Sequence, residues 1–516
     1  CSESLETDGN IVSSPSTNSQ FLLKILRMDM EFLLYLFLIS IFLTSFALIR
    51  RKSEPLNLPP GPPRLPVLGN FHLLKFPLHK TFHRLSTTYG DLMFLQLGAV
   101  PAIVVSSSEI VAEISKFHDV TFSGRPVMRV PWKTAYNGFG MVFAKYGDSW
   151  RETKKIVTSE LLTMKKVQSF QAVREAEVAH MINVIAGESG PVNLAKLFYT
   201  LSNNTICRVA FGSPTINGVE AYKMMRKMQN VFMSICVSDF FPSLGFLDKM
   251  NGFEARLEQA VKEFDEFSTE ILEHHRNPEC LGSRDEDFVD VLLRLQKGAD
   301  RSSSFSDEFI KALIQDVYGG ASDTSSATLE WAMAELMRNP SVMKKAQEEL
   351  RRVVKGARVE ESHLQELLYL KTVIKETLRL HPAGPLLVPR ETLDACKIKG
   401  YQIPANTRVF VNAHAIHLDG KSWDEPEKFK PERFLEKEMD FRGQNAEFIP
   451  FGFGRRMCPG INFATPLIEL ALASLLHHFS WRLPDGVNVD EMDMEEDLGL
   501  TTKLKSPLML VATSLN

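Results

Sequence analysis

One short stretch constrains this chain more than any other: a cysteine set in a glycine-rich turn and followed at once by an apolar, helix-like run. From Phe448 to Ala464 the sequence reads FIPFGFGRRMCPGINFA, with Phe451, Gly454, Arg456, Cys458 and Gly460 spaced as F-x-x-G-x-R-x-C-x-G. Glycines at 454 and 460 let a backbone wrap close to the sulfur and aim N–H groups at it. The start of a helix lowers the pKa of a thiol placed there. The ordinary alternative is a buried cysteine acting as a small hydrophobe. Five fixed residues in ten give that alternative no reason to exist.

A thiolate is a soft, strongly donating ligand for iron, and a haem bound axially by sulfur favours O–O cleavage on its opposite face. Arg456 is placed to meet a haem propionate. The segment resembles the haem-binding loop of the cytochrome P-450 family, and by that resemblance Cys458 is the axial iron ligand, with Phe451 and Gly460 in the cofactor-binding loop. The resemblance implies haem b as cofactor and one large, mainly α-helical domain with small β-sheets.

Composition sets the broad class. The 516 residues carry a net charge of −4, so no whole-chain basic field points to nucleic acid. The six cysteines, at 1, 207, 236, 280, 396 and 458, show neither zinc-site pairing nor disulfide density.

Near the N-terminus, Phe32 to Ile49 is free of charge and reaches about 27 Å as a helix, close to a thin membrane's hydrocarbon thickness. Arg50, Arg51 and Lys52 close it, so the positive-inside rule puts that end in the cytosol and Asp29 and Glu31 in the lumen. Residues 28–52 are thus expected to be a single-pass endoplasmic reticulum anchor with a cytosolic catalytic domain over 67–516. Residues 1–27 receive no function, with Met28 or Met30 expected as the start. The proline cluster LPPGPPRLP within 53–66 is an extended, stiff stretch that resembles the family's hinge. Gly90 to Ser106 reads as a hairpin turning at Ala99 to Pro101.

Between Phe122 and Phe143 helical periodicity breaks, and prolines and glycines stand beside Trp132, Phe139 and Phe143. The resemblance makes this loop the roof of a substrate pocket. Trp150 and Lys154 lie one helical turn apart and share a face. The family commonly has Trp and Arg there, both reaching haem propionates. Lysine at 154 keeps the charge without the arginine fork. Asp239 to Phe253, apolar and broken by Pro242 and Gly245, suits a loop dipping into lipid, or a satellite apolar cluster.

Ser306 to Asn339 sustains a helical pattern for roughly 50 Å, opening on Asp307 and Glu308 and stopped by Pro340. Its middle, Gly319 to Ser325, gives way to residues that compete with the helix backbone, which calls for a functional reason. The Thr324 hydroxyl is placed to capture the Gly320 carbonyl, opening the ladder and leaving a groove for dioxygen. Asp323 beside it is an acid able to relay protons. The stretch resembles the family's A/G-G-x-D-T-T/S element, departing at Ala321, whose methyl is expected to crowd the groove. Gly320 and Ala321 are taken as pocket residues.

Further on, Glu376 and Arg379 lie three apart on an apolar-flanked helical run, an arrangement that survives burial only when fully hydrogen-bonded. The family's E-x-x-R pair is completed by an arginine of a P-E-R-F element, here Arg433, in a structural role. In PAGPLLVPRE, Leu386 and Val388 are expected to face the haem and Arg390 matches a propionate-binding position. Leu498 to Leu504 resembles the last pocket-lining turn.

Wording and coverage most resemble the plant seventy-one clan of the family. The implied activity is a haem-thiolate monooxygenase acting on a lipophilic small molecule, a terpenoid or alkaloid favoured, with Asp323 and Thr324 as catalytic residues. Electrons are expected from NADPH through a separate NADPH–cytochrome P-450 reductase, with cytochrome b5 as a further partner and Lys154, Lys155 and Arg455 as docking cations. Oxidative coupling, ring closure or desaturation without oxygen insertion is the first alternative. A non-catalytic haem-binding sensor or scaffold is the second, which the intact acid–alcohol pair disfavours.

Overall fold

The computed structural model describes residues 37, 40, 56–212, 218–277, 286–298, 305–497, 499 and 501–515. The chain divides into two compact units, Cys1–Asn57 and Leu58–Asn516. Apart from Phe37 and Ser40, the expected anchor lies outside the described residues, as do Leu498 and Leu500 of the last expected turn. Among the described residues no helix is long and apolar enough to cross a membrane.

The second unit is mainly helical. Its helices include α1 (Asp148–Val157), α2 (Gln171–Gly187), α3 (Leu194–Ala210), α4 (Gly218–Met233), α5 (Phe253–Arg276), α6 (Asp307–Arg338), α7 (Leu368–Leu380) and α8 (Ile461–His478). A small sheet has the order β1 (Leu92–Leu97), β2 (Val100–Val105), β4 (Arg408–Val411), β3 (Arg390–Glu391).

Helix α6 organises the rest, because it packs against α3, α5, α7 and α8 together. Ser306 caps it by accepting from Phe309 N–H, two acids follow in the first turn, and Pro340 opens the next helix. Its N-terminal half, with Ile310, Leu313 and Tyr318, belongs to one apolar cluster alongside Phe264 and Phe267. Its C-terminal half, with Trp331 and Leu336, belongs to a second, alongside Leu467 and Leu475. The polar segment Gly319 to Ser326 falls between the two.

The hairpin β1–β2 pairs Leu97 with Val100, so the chain turns at Gly98–Ala99 rather than at Ala99 to Pro101. Pro101 sits inside β2, where the parallel ladder to β4 begins only at Ala102, so its missing N–H costs no bond on that side. Alternate residues feed different cores: Leu92, Phe94, Ile103 and Val105 enter one cluster, Met93, Leu95, Ala102 and Val104 another. Both faces being covered explains the almost unbroken apolar run.

The proline segment is packed rather than free. Pro60 accepts from Phe94 N–H at 2.8 Å, and the buried Asn70 carboxamide donates to Pro62 and Pro63. Gly61 lies so near Phe94 that a Cβ would fall 2.0 Å from its carbonyl oxygen. The 239–253 stretch divides its apolar residues: Phe240 and Phe241 pack on Phe71, whereas Phe246 and Met250 are exposed.

Candidate active site

A cavity of about 380 Å³ lies between the polar middle of α6 and the cysteine turn. Cys458 is accessible from this cavity, which it lines. Burial pushes the thiol pKa up, while Gly460 N–H and the Lys154 ammonium pull it down. The net shift is upward, contrary to the expectation from the helix start; coordination to a metal is what deprotonates such a thiol outright. The turn is held at its base by Cys458 N–H donating to Phe451 O at 2.9 Å. Gly454 is required for a different reason from the one expected: with φ at +63°, its missing Cβ would stand 2.0 Å from Asp119 Oδ1, so it serves the Asp119 contact rather than the sulfur. At Gly460 a Cβ would make only ordinary contact with the sulfur, at 3.7 Å.

One wall of the cavity is cationic. Arg456 donates to Ser123 O, Met141 O and Ala144 O and stacks 4.2 Å from the Trp150 ring. Trp150 in turn donates to Met141 O, and Lys154 donates to Arg455 O at 2.6 Å. Arg390 reaches Phe453 O, but its buried Nη1 has no partner among the described residues. Arg125, which sequence reasoning missed, donates to Val142, Val388 and Pro389 carbonyls. Burial and mutual repulsion press the Arg125 pKa down, burial alone brings Arg390 to about 10, and burial and Arg390 bring Arg456 to about 9. Among the described residues none of the three forms an ion pair. Buried guanidinium groups without a carboxylate among the described residues, beside a free cysteine sulfur, fit a group that brings its own negative charge. Haem with two propionates is such a group. Arg455, by contrast, pairs with Asp119 at 3.3 Å and faces outward.

The opposite wall is α6. Thr324 Oγ1 donates to Gly320 O at 2.8 Å, as anticipated, yet the helix runs on unbroken from Asp307 to Arg338. The expected opening of the ladder is therefore absent, since a threonine bond to the i−4 carbonyl coexists with the backbone bond. Asp323 is buried, accepts from Gln229 Nε2 and forms an ion pair with Lys503. It makes no hydrogen bond to Thr324 among the described residues, so the two neighbours reach the cavity separately. Neither Gln229 nor Lys503, 180 residues downstream, carried a local signal.

Several pocket expectations change. Phe143, Gly320 and Val388 line the cavity. Trp132, carried on the short helix Arg129–Thr134, instead packs over Gly138. Phe139 turns edge-on to Phe309, and Ala321 joins the apolar cluster behind α6, so its methyl crowds no groove. Leu386 packs beneath the sheet, and Leu387 takes its place in the cavity. The cause is a left-handed backbone at Leu387, φ +53°, which breaks the in–out alternation assumed for an extended strand. Thr501 also lines the cavity.

Glu376, Arg379 and Arg433 meet beneath the cysteine turn. Both carboxylate oxygens of Glu376 accept from Arg379 at 2.8 Å, and Arg433 Nε reaches Oε1 at 3.0 Å. Arg379 also donates to the carbonyls of His417, Pro426 and Lys428. His417 continues the chain: its Nδ1–H donates to Arg379 O and its Nε2 accepts from Ile449 N–H, at the start of the cysteine turn. Burial holds this imidazole neutral, with its pKa near 3.

Comparison with known proteins agrees with this geometry. The family model for cytochrome P-450 matches residues 59–509. The chain is 49% identical to strychnine-11-hydroxylase of Strychnos nux-vomica over 92% of its own length and 96% of that protein. It is 46% identical to cytochrome P-450 71A9 of Glycine max, over 94% and 99%. A zebra fish cytochrome P-450 structure with abiraterone superposes with TM-score 0.70 at 25% identity, covering 85% of this chain and all of that one. The family's redox chemistry implies an electron-donating partner and a lipophilic substrate, and its haem, held by a cysteine thiolate, supplies dioxygen activation. The chain belongs to the cytochrome P-450 family, as a haem-thiolate monooxygenase of the plant seventy-one clan.

Proposed function

We propose that this enzyme inserts one oxygen atom from O2 into a lipophilic plant specialised metabolite, with an alkaloid favoured over a terpenoid. In this reading NADPH–cytochrome P-450 reductase delivers the electrons, cytochrome b5 can supply the second, and residues 28–52 anchor the chain in the endoplasmic reticulum membrane with the catalytic domain cytosolic. The observation that carries the reading is the arrangement of one cavity. Cys458 and the unpaired arginines form its floor, Thr324 stands on α6 opposite, and Met225, Met228, Phe232, Phe143 and Leu387 supply apolar walls. Similarity to a strychnine hydroxylase supports the alkaloid preference.

Within the site, Cys458 would hold the iron, and Arg125, Arg390, Arg456 and Lys154 would hold the propionates. Thr324 Oγ1, bonded to Gly320 O, keeps a hydroxyl at the cavity surface to pass a proton. The adjacent Asp323 carboxylate would relay a proton to it only after taking one itself, from solvent or from the Lys503 ammonium it is paired with. The test is turnover of an alkaloid and terpenoid panel by membranes containing the protein, a plant reductase and NADPH under labelled dioxygen, with Cys458→Ala as control. Label in a product the control lacks supports oxygen insertion. An oxidised but unlabelled product replaces it with coupling or desaturation.

A further inference from the structure

Two carboxylates line the cavity, and they differ in one respect. Asp323 is neutralised by Lys503, whereas Asp316 forms no ion pair among the described residues. Asp316 Oδ2 accepts from the N–H groups of Met141 and Val142 in the roof loop, the second at 3.1 Å. Gly140 permits this approach, since with φ at +89° its Cβ would lie 2.6 Å from that oxygen. Among the described residues Oδ1 has no hydrogen-bond partner, and it is open to the cavity. Ala312 lies beside it, and the cavity that Asp316 lines holds the apolar Met225, Met228, Phe232 and Phe264 together with the polar Gln229 and Gln315 and the cation Arg125.

Resting on the monooxygenase reading above, we propose that Asp316 Oδ1 is the recognition point for a protonated tertiary amine, and that the substrate class is a polycyclic basic alkaloid. Folding has already removed part of this half-buried carboxylate's hydration. A ligand ammonium therefore gains a charge-assisted bond while the protein surrenders less hydration than an exposed carboxylate would. Desolvation raises the carboxyl pKa only to about 6, which leaves it ionised at neutral pH. Position also sets a length. Asp316 precedes Thr324 by two helical turns, roughly 12 Å along the axis. The oxidised carbon should thus lie about that far from the basic nitrogen, at the other end of a rigid ring system.

The competing role is a staple for the roof loop, and Asp316→Asn separates the two, because an amide oxygen still accepts from Met141 and Val142 while the charge is gone. The haem-loaded enzyme and this variant are titrated with strychnine, brucine and yohimbine, and with progesterone as a neutral ligand of similar size, following the haem absorption shift. The expected result is at least a tenfold rise in Kd for one or more amines, with progesterone changed less than twofold. Equal loss for amines and progesterone, or no amine bound by the wild type, overturns the proposal. Should the variant lose its haem, the wild type still decides: strychnine must bind at least tenfold tighter than strychnine N-oxide, uncharged overall at neutral pH. The carbon monoxide difference spectrum of the wild type tests the haem-thiolate reading separately.

Discussion

At Arg125 the site depends on a residue that no motif around Cys458 announces. Its guanidinium is buried, it repels Arg456 and Arg390, and its partners among the described residues are all carbonyl oxygens. Such a cation is stable only beside a resident anion. Arg125→Leu should therefore leave the fold intact while weakening haem retention, by about 1.5–3 kcal/mol for a charge-assisted bond, or about ten- to hundredfold. Haem per polypeptide after dilution and gel filtration measures it. Thr324 makes the second residue-scale case. Thr324→Val keeps the shape and removes the hydroxyl, so NADPH consumption should continue while product per NADPH falls at least tenfold and hydrogen peroxide rises. Product, peroxide and NADPH counted in one reaction check this.

The element that ties α7 to the cysteine turn is the chain of bonds from Glu376 through Arg379 and His417 to Ile449. Glu376→Gln would leave Arg379 and Arg433 buried without their counter-charge, a loss of about 3–5 kcal/mol that urea unfolding of the haem-loaded protein would show. His417 adds a pH dependence whose sign follows from its depressed pKa. The unfolded imidazole takes a proton near pH 6.5, and the folded one only near 3. Its contribution is therefore complete above 6.5 and is lost as pH falls toward 3, by about 1.4 kcal/mol per pH unit. His417→Gln should flatten the slope of unfolding free energy against pH between 6 and 4 by close to one proton relative to wild type. Local spacing made Glu376 and Arg379 legible, since they share a helix face, whereas Arg433 came only from the resemblance of its P-E-R-F element to the family's. Spacing could not reveal His417, whose role exists only once 38 residues have looped back to Arg379. The same limit explains Lys503 beside Asp323. At Leu387 the failure is one of backbone: a single positive φ exchanged which leucine enters the cavity.

For the whole molecule, the instructive boundary is where the catalytic unit begins. Proline content gave 53–66 the appearance of a hinge, yet the compact unit starts at Leu58. Leu58 packs on the cluster that holds Phe94, Arg64 lies 4.8 Å from the Phe94 ring, and Asn70 Oδ1 accepts from Gln96 N–H while its amide holds Pro62 and Pro63. Polyproline stiffness is what makes this economical, because such a segment loses little conformational freedom on docking. Two shortened chains then separate hinge from wall. A chain beginning at Leu58 should keep the full haem-thiolate spectrum and the wild-type urea midpoint. One beginning at Val67 should bind haem but lose on the order of 2 kcal/mol, from the Phe94 bond and the re-exposed edge of β1. Equal midpoints would return the segment to the status of a linker; a lower midpoint for the longer chain as well would place stabilising contacts before residue 58.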